Sequence, residues 1–279
     1  MKNIIVGVDI GATKVRIAAI EDGRLSKDLI LPTSANAPEQ QIIDELIEGI
    51  EKLCGHDFKG IGIGVPGLID EERGIVYDLW NIPSWKEVYL KDHLEEHFEK
   101  PVQITNDANT FALGEKKYGQ GQKFKNLVGV ALGTGYGTGI IVNNELYSGM
   151  LSGAGELADV PYLDGSIEDY CSGKFFKIKY QQEGAEVFEK ARQGDPEALK
   201  IFDEFGKHLG ESLKLILYMV SPEAIILGGS ISKSFKYFEK SLQQSINTFP
   251  FKRIIKRVEI FPSAMPDVSV LGAAAMLDK

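Results

Sequence analysis

A chain of 279 residues exceeds one compact core of ordinary size and suits two modest domains with a cleft between them. Its 43% hydrophobic and 25% charged residues are those of a folded globular protein and exclude a disordered one. The net charge of −9 argues against a nucleic-acid partner, no apolar run approaches membrane-spanning length, and the first strand follows no basic leader or cleavage site, so a cytoplasmic protein is expected. The cysteines Cys54 and Cys171 make neither a disulfide framework nor a C-x-x-C metal pair and read as packing thiols in a reducing compartment.

In chain order, apolar period-two runs at Asn3–Val8, Val15–Ile20 and Leu25–Leu31 predict a three-stranded antiparallel meander. From Pro38 to Gly55, apolar residues recur at helical spacing through Ile42, Ile43, Leu46, Ile47, Ile50 and Leu53. A buried strand at Gly60–Val65 ends in Pro66-Gly67, residues 84–99 read as a helix, 101–105 as a strand and Asn106–Tyr118 as a helix with a polar start. The second half repeats this outline: strands at Leu127–Leu132 and Thr138–Val142, a hairpin at Asn143-Asn144, and a glycine-rich loop at 149–155. A long helix then runs from Asp195-Pro196 to about Val220, followed by a strand at Ala224–Leu227, a helix at Ser232–Phe249, a strand at Arg257–Phe261 and a terminal helix from Val268. Such an echo suggests a duplicated fold.

Three glycine turns carry candidate chemistry. Asp9-Ile10-Gly11-Ala12-Thr13-Lys14 lies between two strands, which excludes a Walker loop. It is either a plain hairpin or a clip whose amides and Thr13 hydroxyl face one anion, with Asp9 placed to hold a metal ion. In Leu132-Gly133-Thr134-Gly135-Tyr136-Gly137-Thr138-Gly139 the alternate glycines weaken a hairpin, so something needs the backbone close. A phosphate met by amides and the Thr134 hydroxyl is the simplest candidate. The strand Ile225-Ile226-Leu227 running into Gly228-Gly229 is either a tight strand-helix turn or bare backbone on which a flat ring or ribose lies. Between the clips, Asp107 in Thr105-Asn106-Asp107-Ala108-Asn109 stands where a strand meets a helix, as a helix cap or as a base.

Taken in order, Asp-Ile-Gly-Ala-Thr-Lys, Gly-Val-Pro-Gly, Asn-Asp-Ala-Asn, Leu-Gly-Thr-Gly-x-Gly-x-Gly and Leu-Gly-Gly resemble the glucokinase-like sugar kinases of the ROK family (repressors, open reading frames and kinases) over nearly the whole chain. The resemblance implies an α/β, actin-like ATPase (ribonuclease H-like) fold of two domains with a cleft between them. Its expected boundaries are a small N-terminal domain of residues 1–106 plus 266–279 and a larger C-terminal one of 107–265. It further implies that Asp9, Gly11, Thr13 and Lys14, with Gly133, Thr134 and Gly135, clamp the ATP phosphates with Mg²⁺, that Gly228 and Gly229 lie by the adenosine, and that Asp107 is the catalytic base. Sugar contacts carry over to Gly67, Asn81, Asn106, Asp107, Glu156 and Glu168, and a homodimer is expected. Trp80 and Trp85 either line the sugar site or pack.

The chain departs from the family at Gly155-Glu156-Leu157-Ala158-Asp159, where most members have Gly-Glu-x-Gly-His followed by a three-cysteine loop that binds a structural zinc. Asp159 stands for the histidine, the cysteine loop is gone, and no zinc is expected. Asp159 either contacts the sugar with Glu156 and Glu168, as an acidic rim favouring a neutral hexose, or faces water. The resulting expectation is an ATP-dependent hexose kinase acting on the 6-hydroxyl of glucose or a close relative. Alternatives are an N-acetylmannosamine or N-acetylglucosamine kinase, a non-catalytic sugar-binding ROK protein, and a polyphosphate donor in place of ATP. The family's repressors carry a DNA-binding segment ahead of the first strand; the expected first strand here begins at Asn3, which argues against that role.

Overall fold

A computed structural model describes residues 3–278 and divides the chain into two compact units. One comprises Met1–Lys123, Gly139–Ala154 and Ala264–Lys279, the other Phe124–Thr138 and Gly155–Ser263. In the first, β1 (Ile4–Ile10), β2 (Lys14–Glu21) and β3 (Arg24–Pro32) form the expected meander. Helix α1 (Glu39–Cys54) follows, burying Ile42, Ile43, Leu46 and Ile50, and it ends where Gly55 turns the chain at φ 59. Strand β4 (Ile61–Val65) is buried throughout and pairs in parallel with β1.

The helix expected from residue 84 begins only at Leu90. Residues 68–88 instead fold as a small antiparallel sheet of β5 (Leu68–Asp70), β6 (Ile75–Tyr77) and β7 (Glu87–Val88), and α2 covers Leu90–Phe98. Strands of two or three residues are too short to show a period, while Trp85, Val88, Leu90 and Leu94, all buried, imitate helical spacing. Strand β8 (Val102–Asn106) then pairs in parallel with β4 and leads into α3 (Asp107–Lys117).

The second sheet contains β9 (Leu127–Leu132), β10 (Tyr136–Val142) and β11 (Glu145–Leu146), with Asn143 and Asn144 at φ 53 and 73 in the hairpin turn. Beyond it lie the short hairpin β12 (Pro161–Tyr162) and β13 (Gly165–Ser166) and the helices α4 (Ile167–Cys171), α5 (Gly173–Tyr180) and α6 (Gly184–Arg192). These three helices escaped sequence reading, although Ser166 and Asp169 form a capping box that starts α4. The remainder is α7 (Pro196–Met219), β14 (Ala224–Gly228), α8 (Phe235–Ile246), α9 (Lys252–Ile255), β15 (Glu259–Pro262) and α10 (Val268–Ala275).

The strand orders β3-β2-β1-β4-β8 and β11-β10-β9-β14-β15 are the same order, so the duplication suggested by the sequence is present. Within the first unit, α10 lies so close to the sheet that a Cβ at Gly62 would stand 1.9 Å from the Ala273 carbonyl oxygen. None of the described helices is long and apolar enough to cross a membrane.

Candidate active site

Strands β1, β4 and β8 run parallel in register, Asp9 beside Gly64 and Gly64 beside Thr105. Their carboxyl ends therefore bring the first glycine turn, Pro66-Gly67 and Asn106-Asp107 to one edge of one sheet. That edge is where open α/β sheets bind ligands.

At the first turn the Gly11 amide donates to the Lys14 carbonyl (2.9 Å), and Thr33, a residue the sequence reading passed over, fastens the turn to β3. Its hydroxyl donates to the Gly11 carbonyl (2.8 Å) and its amide to that of Thr13 (3.1 Å). The side chains of Thr13 and Lys14 are left exposed. Asp9 is half-buried, and burial pushes its carboxyl above the usual range while Lys14 and then Arg16 pull it down. Arg16 is held between Asp28 (2.8 Å) and Asp267 (2.5 Å). A partly desolvated carboxylate beside an exposed turn suits a hard cation, so Asp9 fits the part of Mg²⁺ ligand, directly or through water.

At the start of α3, the cap is Asn106 and not Asp107. The Asn106 Oδ1 accepts from the Ala108 amide at 2.8 Å and its Nδ2 donates to the Gly67 carbonyl at 3.2 Å. Asp107 occupies the first helical position, half-buried, its Oδ1 also accepting from Ala108 N–H at 2.9 Å. Capping therefore does not explain why an aspartate is here.

Behind this edge stands a carboxylate that sequence reading missed. Glu71 accepts hydroxyl hydrogen bonds from Thr105, from Ser148 (2.8 Å) and from Ser152 (2.8 Å), while Asn109 Nδ2 donates to the Thr105 oxygen (3.0 Å). It ties the strand that presents Asp107 to the 148–152 loop, where Leu151 and Ser152 take left-handed backbone at φ 52 and 55. No spacing pattern marks such a hub, because its partners come from two segments far from it along the chain.

In the second unit, the glycines of the second clip prove to have different reasons. A Cβ at Gly135 would lie 2.7 Å from Glu168 Oε2, so any side chain there would have to displace the Glu168 carboxylate. Gly133 has no heavy atom within 4 Å of its would-be Cβ, so packing does not require glycine there. Its amide closes the turn onto the Gly135 carbonyl (3.0 Å) and its carbonyl accepts from Gly173 N–H (2.8 Å), so what it offers a phosphate is space rather than a donor. Thr134 is exposed at the tip. Beside it, β14 pairs with β9 so that Gly228 faces Ala131, and Gly229, at φ 79, sits against Leu132. The expected adenosine and phosphate glycines of this unit are thus neighbours.

The acidic residues also cluster. Glu156 is exposed as a residue, yet partial desolvation of its carboxyl pushes it up, followed by the charges of Asp159 and Glu168. Glu168 accepts from the Tyr136 amide (3.0 Å) and pairs with Lys174 at 2.7 Å, a cation that the sequence reading did not single out and that offsets one charge of the trio. Asp159 is exposed. Where the resemblance places a zinc loop, the shortened segment is held by an aromatic clasp on α7: the Tyr162 hydroxyl meets His208 Nδ1 at 3.0 Å, and the Tyr170 ring lies 4.8 Å from that imidazole. Of the tryptophans, Trp85 is fully buried in the core while Trp80 is 92% exposed, next to exposed Asn81.

The ROK family model matches residues 5–279. A glucokinase from Thermotoga maritima is 29% identical over 98% of this chain and 96% of its own length. An N-acetyl-D-glucosamine kinase from Yersinia pseudotuberculosis is 29% identical over 88% of each. Among solved structures, a ROK family glucokinase from Streptomyces griseus in complex with glucose and AMPPNP aligns at TM-score 0.82 and 27% identity, covering 98% of this chain and 99% of that one. The twin sheets are accordingly those of the actin-like ATPase fold, and with a match over nearly its whole length the chain belongs to the ROK family.

Proposed function

We propose that this chain, a sugar kinase, transfers the γ-phosphate of ATP to the 6-hydroxyl of glucose or a closely related hexose. The observation that carries the reading is Asp107 at the first position of α3 with the capping duty already discharged by Asn106. Phosphoryl transfer leaves the protein mostly to position the reactants and neutralise charge, with one carboxylate to take the proton of the attacking hydroxyl. Asp107 takes that proton; Asn106, Asn81 and the Gly67 turn orient the sugar with Glu156 and Glu168. Lys14, the hydroxyls of Thr13 and Thr134 and the bare backbone at Gly133 receive the phosphates, and Gly228-Gly229 the adenosine. Magnesium, held at Asp9, supplies charge neutralisation on the phosphates when bound.

The cluster of Glu156, Asp159 and Glu168, only partly offset by Lys174, supports a neutral sugar over an anionic one. A second reading, an N-acetylhexosamine as acceptor, has support from the Yersinia relative. A cytoplasmic homodimer completes the proposal, and sedimentation of the purified protein checks its stoichiometry. The deciding experiment is a coupled ADP-release screen over hexoses and amino sugars, with ATP and polyphosphate as donors. Turnover of glucose or mannose with ATP supports the reading, whereas turnover confined to amino sugars, or to polyphosphate, moves the function elsewhere.

A further inference from the structure

The last turn of α1 and the last turn of α2, both in the first unit, hold side chains that phosphoryl transfer does not use. Glu51 sits near the end of α1, His56 just past the Gly55 turn, and His97 at the end of α2. Both imidazoles converge on one oxygen: His97 Nε2 lies 2.9 Å and His56 Nε2 3.4 Å from Glu51 Oε1, and the three ligand atoms are all within 4.8 Å of one another. The rings are stacked, with centroids 5.9 Å apart and planes at 28°. Each also rests on Phe98, at 5.4 Å for His56 and 4.7 Å for His97. Phe98 is itself buried and packed edge-on against buried Phe58 at 5.4 Å. The imidazoles therefore sit on a rigid aromatic floor, while exposures of 58%, 39% and 41% for His56, His97 and Glu51 leave them open to solvent.

The donor set decides what could bind. Two imidazole nitrogens are the borderline donors that suit zinc, nickel and copper, which also accept a carboxylate oxygen, whereas Mg²⁺ and Ca²⁺ favour oxygen alone. Three protein ligands leave a position for water, the pattern of an open and exchangeable site. Neither α1 nor α2 needs an ion to fold, since each buries its own apolar face. An ion here would act as a brace between them.

We propose that Glu51, His56 and His97 form a surface site for one divalent transition-metal ion of the zinc and nickel class, bridging α1 to α2. The site is independent of the kinase reading, and it lies in a different unit from the 155–173 segment where the resemblance places a zinc.

The test is calorimetric titration of the full-length protein with Ni²⁺ and with Zn²⁺ in the absence of nucleotide, together with thermal melting. The expected result is one ion per chain and a melting midpoint raised by the metal, because a ligand that binds only the folded state stabilises it. His97→Ala and His56→Ala should each weaken binding by more than the roughly tenfold loss that follows removal of even an outer-shell partner. His93→Ala, on the same helix, should leave it unchanged. Melting without metal establishes that each variant is folded, and Glu51→Gln, which keeps the shape but loses the anion, supplies a further variant. Bound Co²⁺ should show a visible absorption band that disappears in His97→Ala. Absence of saturable binding, binding to His97→Ala as tight as to the wild type, or displacement of the ion by equimolar Mg²⁺ would overturn the assignment.

Discussion

Replacing Gly133 by alanine separates a glycine kept for a ligand from glycines kept for packing. The added Cβ meets no heavy atom within 4 Å, and the backbone there is not among the left-handed glycines, so the methyl introduces neither clash nor strain. Loss of unfolded-state freedom should then leave the protein as stable as before or more stable by ~0.4–1 kcal/mol. Gly139→Ala is the contrasting case. Its Cβ would lie 2.3 Å from the Ala108 carbonyl oxygen and 2.8 Å from the Ala112 Cβ, which predicts a loss of ~1–3 kcal/mol from overpacking. If the space at Gly133 receives the ATP phosphates, a methyl there displaces them by the order of an ångström, for which a ~100-fold fall in kcat/KM is the expected scale. At ~1.4 kcal/mol per tenfold, that is ~2.7 kcal/mol of barrier. Urea denaturation and steady-state kinetics at varied ATP measure the two quantities on the same preparations. A Gly133→Ala enzyme with unchanged kcat/KM for ATP refutes the phosphate reading of this turn; one that is strongly destabilised refutes the steric reasoning.

Asp107→Asn should lower kcat by ~100-fold or more, the range for a general base, with melting little changed because Asn106 still caps α3. Near-normal turnover of the best sugar would remove Asp107 from the chemistry. Glu71→Gln removes the charge and turns one acceptor into a donor, so at least one of the Thr105, Ser148 and Ser152 hydroxyls must reverse its role or lose its partner. A cost of ~1–3 kcal/mol is expected in chemical denaturation, and an unaltered midpoint would show that the hub is not needed. His208 is pushed below its ordinary value of 6.5, chiefly by burial, with Glu204 opposing. Because the folded form resists protonation, its stability contribution is full above about pH 6.5 and is lost as pH falls through the lowered folded value. Melting points of wild type and His208→Gln should therefore differ in slope across that acidic window; parallel curves would show that His208 does not titrate with unfolding.

The strand meanders, α1 and the glycine turns were legible because each is a local pattern: alternation, a 3.6-residue period, or a residue that only a turn tolerates. The repeat suggested a duplicated fold but gave no strand order for either sheet, which only the structure supplies. What sequence reading lost were features made by distant partners. The β5–β7 sheet is built from strands of two or three residues, and its buried Trp85 and Val88 gave a false helical period. Glu71 gathers hydroxyls from residues 105, 148 and 152, and Thr33 secures a turn 20 residues earlier, neither of which any window can reveal.

The same contrast applies to the zinc-motif segment. Its departure from the family pattern is visible as a list of missing ligands, but what holds it instead is not, since His208 lies on α7, far along the chain from Tyr162 and Tyr170. A metal site fixes its loop by a few strong bonds. Here the loop is fixed by a capping box at Ser166, a phenol-imidazole hydrogen bond and ring contacts that include Phe175 at 5.8 Å from His208. None of these needs an ion, and together they anchor the same short segment that carries Asp159 and Glu168. Chelators should therefore leave the unfolding of this unit unchanged, whereas removing the imidazole should loosen the acidic residues and raise KM for sugar more than for ATP. Chelator-induced loss of stability that persists in the His97→Ala variant would mean that a metal holds this segment after all.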